Sequence, residues 1–176
     1  MTIEHETSYY QRKFAEGTAY ERFIRDWLRS QGIDVNLVKG RRNQLLFGDT
    51  NIGVEIKFDQ GIHRTGNVFI EVGEKAEDRG GDFVPSGIFR EDACQWYGIG
   101  DCCEWYVCRK ATLRPLWIAA KSWHVKIINE GTSIGFVLRK KKMYDLAIAE
   151  PCHPNNVPPY TSWDVQDPLL VLRGNP

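Results

Sequence analysis

Between Thr18 and Gln31 the apolar side chains fall at Tyr20, Phe23, Ile24, Trp27 and Leu28. That i, i+3, i+4, i+7, i+8 spacing lays one apolar stripe along a helix. Thr18 followed three residues later by Glu21 has the form of a capping box, and Gly32 stands where a helix-ending left-handed residue is expected. The pattern then shortens. Val35 to Lys39, Leu45 to Phe47, Ile52 to Phe58 and Asn67 to Val72 are rich in branched and aromatic residues, are separated by glycine and polar turns, and predict successive strands. Arg79 to Asp82 predicts a loop, and Ser86 to Ala93 a helical turn. Gln95 to Ile99 and Glu104 to Arg109 predict a second strand pair about Gly100-Asp101. Ala111 to Lys121 predicts a short helix whose start is restricted by Pro115. Val125 to Asn129 and Ile134 to Arg139 predict a hairpin across Glu130-Gly131-Thr132-Ser133. From Glu150 onward, prolines at 151, 154, 158, 159, 168 and 176 leave little room for regular structure. The expected organisation is one α/β domain over residues 1–149 and an irregular Pro-rich tail over 150–176, packed on the domain or extending from it.

Composition narrows this reading without redirecting it. A chain of 176 residues with 42% hydrophobic content suffices for one well-buried core. The 23 basic and 23 acidic residues balance, so a polyanion would have to be held by a local patch rather than by the overall field. No apolar run approaches the roughly 20 residues that span a bilayer, and Met-Thr-Ile-Glu-His-Glu lacks the basic and apolar regions of a signal peptide. The expectation is a soluble cytoplasmic protein with no membrane partner. The five cysteines, Cys94, Cys102, Cys103, Cys108 and Cys152, are odd in number and include an adjacent pair, which favours reduced thiols over a disulfide framework. With His124 and His153 they leave a zinc-stabilised interaction domain as a minor alternative, although no Cys-x-x-Cys or His-x-x-x-His pair is present.

The chemistry concentrates at residues 49–59. Strand alternation puts Val54, Ile56 and Phe58 on one face and Glu55, Lys57 and Asp59 on the other. Glu55 and Lys57 therefore point the same way, at the edge of a cleft, and Asp49 in the preceding turn brings a second carboxylate. Two carboxylates and a lysine can serve phosphodiester hydrolysis, which needs charge neutralisation, an activated water and a stabilised leaving oxygen. Asp49 and Glu55, with the Ile56 carbonyl, form an oxygen-rich ligand set of the kind Mg²⁺ prefers. Lys57 would orient or deprotonate water, a role suited to a buried lysine of lowered pKa. The same Glu-x-Lys pair on an exposed strand is also an ordinary salt-bridging surface.

An acidic residue followed by Glu-x-Lys on a strand behind an N-terminal helix resembles the PD-(D/E)XK nuclease superfamily over roughly Glu16 to Val72. The resemblance implies a restriction-endonuclease-like core, a mixed β-sheet flanked by helices, and Mg²⁺-dependent cleavage of DNA or, less often, RNA, with Mn²⁺ as a substitute ion. It gives Asp49, Glu55 and Lys57 the three signature roles and makes Glu21 or Glu16 the helix glutamate that supports the metal. Asp49 has no preceding proline and only five residues separate it from Glu55; a longer spacing would place the first position near Gln44. The segment Thr65 to Lys75 resembles the strand beside the catalytic one, and Glu71 on it could share the polar face with Glu55 and act behind the metal ligands or as a substrate contact through phosphate-side hydrogen bonding. A homodimer is compatible with the resemblance, and the competing reading is a non-catalytic module of the same fold that binds nucleic acid or a protein.

Lys39, Arg41 and Arg42, and the later group Arg139-Lys140-Lys141-Lys142, are the basic clusters available to grip flanking phosphates. His63 and Arg64, after the catalytic strand, are candidate substrate contacts. Trp96, Tyr97, Trp105, Tyr106, Trp117 and Trp123 could stack on bases, but strand aromatics more often pack the core.

Overall fold

The computed structural model describes residues 3–75, 81–120 and 125–148. Its first helix, α1 (Ile3–Ser30), is longer than the apolar stripe foretells. Thr18 lies inside it, so the capping box expected at Thr18 and Glu21 is not a cap, and the Glu21 carboxylate has no capping duty. The end is where the sequence places it, at Gly32 with φ of 79°. The helix α2 (Arg41–Phe47) replaces the strand expected at Leu45 to Phe47; it lies between Gly40 and Gly48, both of positive φ. Nor is Val35 to Lys39 a strand. Leu37 makes only an isolated bridge to Thr50, and backbone bonds Val38 N–H to Asp49 O (2.9 Å) and Asn51 N–H to Asn36 O (3.1 Å) anchor the turn that carries Asp49.

The following elements are β1 (Val54–Phe58), α3 (Ile62–Thr65), β2 (Asn67–Glu74), β3 (Val84–Pro85), a 3₁₀ turn (Gly87–Phe89), β4 (Trp96–Gly100) and β5 (Trp105–Arg109). They are followed by α4 (Lys110–Ala120), β6 (Val125–Ile128), β7 (Ser133–Arg139) and α5 (Lys140–Leu146). The hairpin β6–β7 and the pair β4–β5 match the sequence, whereas α5 was not foreseen. The strands form two sheets, one of order β1-β4-β5 and one of order β3-β2-β7-β6. The first is mixed, since β1 runs parallel to β4 and β4 antiparallel to β5; the second is antiparallel throughout. The chain is thus an α/β protein with two sheets and, among the described residues, five α-helices. Strand β2 does not pair with β1 as expected. It belongs to the other sheet and meets β1 through side chains. The loop expected at Arg79 to Asp82 falls partly, and the tail from Glu150 wholly, outside the described residues, as do Trp123, His124, Cys152 and His153.

Two apolar layers hold these sheets. On one face of β1-β4-β5, Tyr20, Ile24 and Leu28 of α1 pack on Val54, Ile56, Trp96 and Trp105. Gly98 is required here, because a Cβ at that position would collide with the Trp105 indole. On the other face, Tyr97, Ile99, Tyr106 and Cys108 pack against Val68, Ile70 and Phe136 of the second sheet and against Leu113 of α4 and Met143 of α5. Each layer buries several large side chains at roughly 1.5–3 kcal/mol apiece. Glu55 and Lys57 share the second face with Tyr97 and Ile99. The polar side of β1 is therefore an inner surface between the two sheets, not an outer one.

Candidate active site

A carboxylate on an inner face must be compensated, and Glu55, with no exposure, is compensated by cations alone. Lys57 Nζ lies 3.1 Å from its Oε1 and Lys110 Nζ 2.8 Å from its Oε2. Neither approach has hydrogen-bond geometry, so both buried Glu55 oxygens keep unused acceptor capacity. Lys57 also contacts Glu71 Oε1 at 3.1 Å, and Ser86 donates its hydroxyl to that oxygen at 2.7 Å. Lys110, itself buried, reaches Asp92 Oδ1 at 3.1 Å. Arg90 completes the network: Nη2 is bonded to Asp49 Oδ1, Nε to Asp92 Oδ2 at 2.6 Å, and Nη1 lies 3.9 Å from Glu55 Oε1. Four carboxylates (Asp49, Glu55, Glu71, Asp92) thus meet three cations (Lys57, Arg90, Lys110), leaving one negative charge uncompensated within the network.

The network borders an open cavity of about 770 Å³ whose lining includes Glu21, Gln44, Asp49, Lys57, Arg90 and Tyr97. Helix α1 supplies Glu16 and Glu21 to this wall. The Glu21 carboxyl is raised above its ordinary value, first by burial and then by the charge of Asp49 across from it. For Lys57, burial favours the neutral amine, but Glu71 and Glu55 outweigh it and raise the pKa well above that of a free lysine. The expectation of a lowered Lys57 pKa is therefore corrected: the side chain is a fixed ammonium. Glu71 is held below its ordinary value, since the Lys57 charge and the Ser86 hydroxyl overcome the effect of burial. Tyr97 lies against the pair, its hydroxyl accepting the Glu71 N–H at 3.4 Å, and burial pushes the phenol's pKa up.

Backbone pairing also aims Ile56. Gly53 O accepts from Trp96 N and Asp59 N donates to Gly100 O, so the two-residue period turns residues 55 and 57 toward β4 and the Ile56 carbonyl toward the free edge of β1. Ile56 lines the cavity. Asp59, which shares the Glu55 side of the strand, is spent on structure: its carboxylate accepts the N–H groups of Gly61 (2.8 Å) and Phe69 (3.0 Å) and ties β1 to β2.

The structure places Asp49, Lys57, Glu21 and Ile56 in the cavity lining, with Glu55 against Lys57 and Glu71 a direct partner of Lys57. Gln44 is also at the cavity. The basic candidates lie elsewhere. Lys39 and Arg42 are exposed and outside the cavity lining, Arg41 opens α2, and the later basic group spans the end of β7 and the start of α5, where Lys140 pairs with Glu104. His63 is outside the cavity lining: its Nε2 lies 3.1 Å from Asp101 Oδ2 and its Nδ1 3.4 Å from Glu104 Oε1, while its neighbour Arg64 lines the cavity. Trp96, Tyr97, Trp105 and Tyr106 are buried and Trp117 packs on the core, so these aromatics are not a base-stacking platform. Among the described residues, Cys94, Cys102, Cys103 and Cys108 form no disulfide. Among the described residues, the group of histidine, cysteine and carboxylate atoms lying within 4.8 Å of one another is His63, Asp101 and Cys103.

Arg90, Asp92, Lys110 and Ser86 were not singled out by sequence reasoning. Arg90 and Lys110 reach Glu55, with Asp92 between them, through the parallel β1–β4 pairing that carries the loop before β4 and the start of α4 back to β1, whereas Ser86 reaches Glu71 from beside β2, where its N–H donates to Val72 O. A lysine opening an apolar-backed helix and an Arg-Glu-Asp after a turn carry no distinguishing pattern. No family model matches the chain, and no curated protein or solved structure matches it either.

Proposed function

We propose that the protein is a metal-dependent nuclease of restriction-endonuclease-like fold, hydrolysing phosphodiester bonds of nucleic acid, DNA in preference to RNA. The observation that carries this reading is that Glu21, Asp49 and Lys57 line one cavity while Lys57 Nζ lies 3.1 Å from Glu55 Oε1. The donor set suits a hard divalent cation such as Mg²⁺, with Mn²⁺ as a substitute. All side-chain ligands are carboxylate oxygens, both Glu55 oxygens retain acceptor capacity, and the mutual repulsion of Glu21 and Asp49 would be relieved by a positive ion. Asp49, Glu55 and the Ile56 carbonyl would hold the ion, with Glu21 in support; when bound it would neutralise phosphate charge and acidify water.

The chain's own residues supply the rest. Lys57, kept protonated by Glu71 and Glu55, is a fixed donor that orients the attacking water and offsets charge on the phosphate; it is not the base. Glu71 and Ser86 fix where the ammonium points. Lys110 and Asp92 fix Glu55 from its far side. Purified protein incubated with supercoiled, linear and single-stranded DNA and with RNA, each with Mg²⁺ and with Mn²⁺, tests the reading. Cleavage lost in Glu55→Gln and Lys57→Ala is expected; intact substrates throughout, or an unimpaired Lys57→Ala, refute it.

A second reading, a non-catalytic module that binds nucleic acid, is favoured by one observation: Arg90 already bridges Asp49 toward Glu55. Such a module would bind nucleic acid in a salt-dependent manner with no metal requirement, which calorimetry in chelator separates from the first reading.

A further inference from the structure

Arg90 makes three contacts with three carboxylates: Nη2 with Asp49, Nε with Asp92, and Nη1 at longer range with Glu55. Its side chain is one-fifth exposed and lines the cavity. Lys110 is buried away from that opening, and Lys57 is pinned between Glu55 and Glu71. The root of Arg90 is fixed as well. Gly87, with φ of 52°, sits so close to the Glu71 carbonyl that a side chain there would collide with it, which seats the turn ending at Arg90 against β2. Burial works against the guanidinium charge, but Asp49, then Glu55 and Asp92, outweigh it, so the group does not leave by losing its proton.

Arg90 therefore occupies the span between the two carboxylates assigned above to the divalent ion, and an ion in that span would meet the guanidinium charge at close range. We infer that Arg90 is a placeholder for the ion that becomes a phosphate ligand: it bridges Asp49 and Glu55 in the metal-free protein and transfers to a nucleic-acid phosphate in the cavity when a divalent cation takes those carboxylates. This rests on the nuclease reading. The Nε contact to Asp92 can persist as a pivot, the cavity is the open side, and a planar guanidinium matches two phosphate oxygens better than an ammonium would. The consequence is positive coupling: cation and phosphodiester each bind weakly alone and strengthen one another.

Calorimetric titration of the full chain with Mn²⁺, with and without a short phosphorothioate oligonucleotide, tests this. In the parent, the oligonucleotide should tighten Mn²⁺ binding by about tenfold, within the usual range of coupling between sites. In Arg90→Met, Mn²⁺ alone should bind about tenfold tighter than in the parent, and the oligonucleotide should add little. Arg90→Gln should behave alike, and if either variant is destabilised, a larger Mn²⁺-induced rise in melting temperature than the parent shows reports the same gain. Mn²⁺ binding no tighter in both variants, or full coupling retained in them, overturns the inference. If that happens while Glu55→Gln abolishes Mn²⁺ binding, the nuclease reading stands and only the role of Arg90 falls. If Glu55→Gln leaves Mn²⁺ binding unchanged, the cation site and the inference fall together.

Discussion

Replacing Lys110 by methionine should be among the most damaging single changes in this protein, although the residue is remote from Glu55 in sequence. Lys110 is almost fully buried, and its ammonium lies 2.8 Å from Glu55 Oε2 and 3.1 Å from Asp92 Oδ1. Methionine fills nearly the same volume, so packing is preserved and the loss is electrostatic. Removing one partner from a buried ion pair costs about 3–5 kcal/mol, because the remaining charge stays desolvated. Against a total stability of about 5–15 kcal/mol, that is a large fraction. At about 2–4 °C per kcal/mol for a chain of this size, melting should fall by roughly 6–20 °C. Thermal and urea unfolding measure it. The decisive arm is the double variant: adding Glu55→Gln removes the stranded charge and should recover roughly half or more of the loss, a coupling expected only of residues in direct contact. A loss below about 1 kcal/mol, or no recovery in the double variant, would refute the claim that Lys110 compensates Glu55.

Three further outcomes follow from the same network. Because the Glu71 pKa is depressed, its stabilising effect is present above the unfolded-state value of about 4.3 and lost as pH falls through the lower folded value. Urea midpoints measured downward from pH 5 should therefore decline less steeply in Glu71→Gln than in the parent. Glu21 has the opposite sign: its raised pKa means that ionisation costs stability as pH rises above its unfolded value, so Glu21→Gln should melt higher than the parent at neutral pH while binding Mn²⁺ more weakly, measured by calorimetry. Gly87→Ala should destabilise by more than about 1 kcal/mol in thermal unfolding, since the new methyl meets the Glu71 carbonyl at a positive φ, and it should impair cleavage by shifting Arg90.

The legible parts of the fold are those set by local periodicity. Tyr20, Ile24 and Leu28 declare the buried face of α1, and alternation correctly puts Glu55 beside Lys57. Period alone does not say what a polar face meets. Glu55 and Lys57 face a second sheet and a buried cation, because Lys110 and Arg90 arrive through a long-range parallel pairing that leaves no local trace. Leu45 to Phe47 misleads for a related reason: three apolar residues fit either a strand or a helical turn, and the positive-φ glycines at 40 and 48 delimit a short helix. The start of α1 is hidden because residues upstream of Thr18 continue the helix without continuing the apolar stripe, so a threonine and a glutamate at capping spacing imitate a beginning. Lys39 and Arg42 lie outside the cavity lining despite their proximity to Glu55 in sequence, which says little about which side of a sheet a loop reaches.

The central claim is that Asp49 and Glu55 ligate a divalent cation behind the fixed ammonium of Lys57. Crystals grown or soaked with Mn²⁺ and examined by anomalous scattering locate such an ion directly. The account predicts a peak bonded to carboxylate oxygens of Asp49 and Glu55 at about 2.1 Å, as for octahedral oxygen coordination, with Arg90 turned away from Asp49. A peak at His63, Asp101 and Cys103 alone, or none with Arg90 still bridging the carboxylates at saturating Mn²⁺, would contradict it.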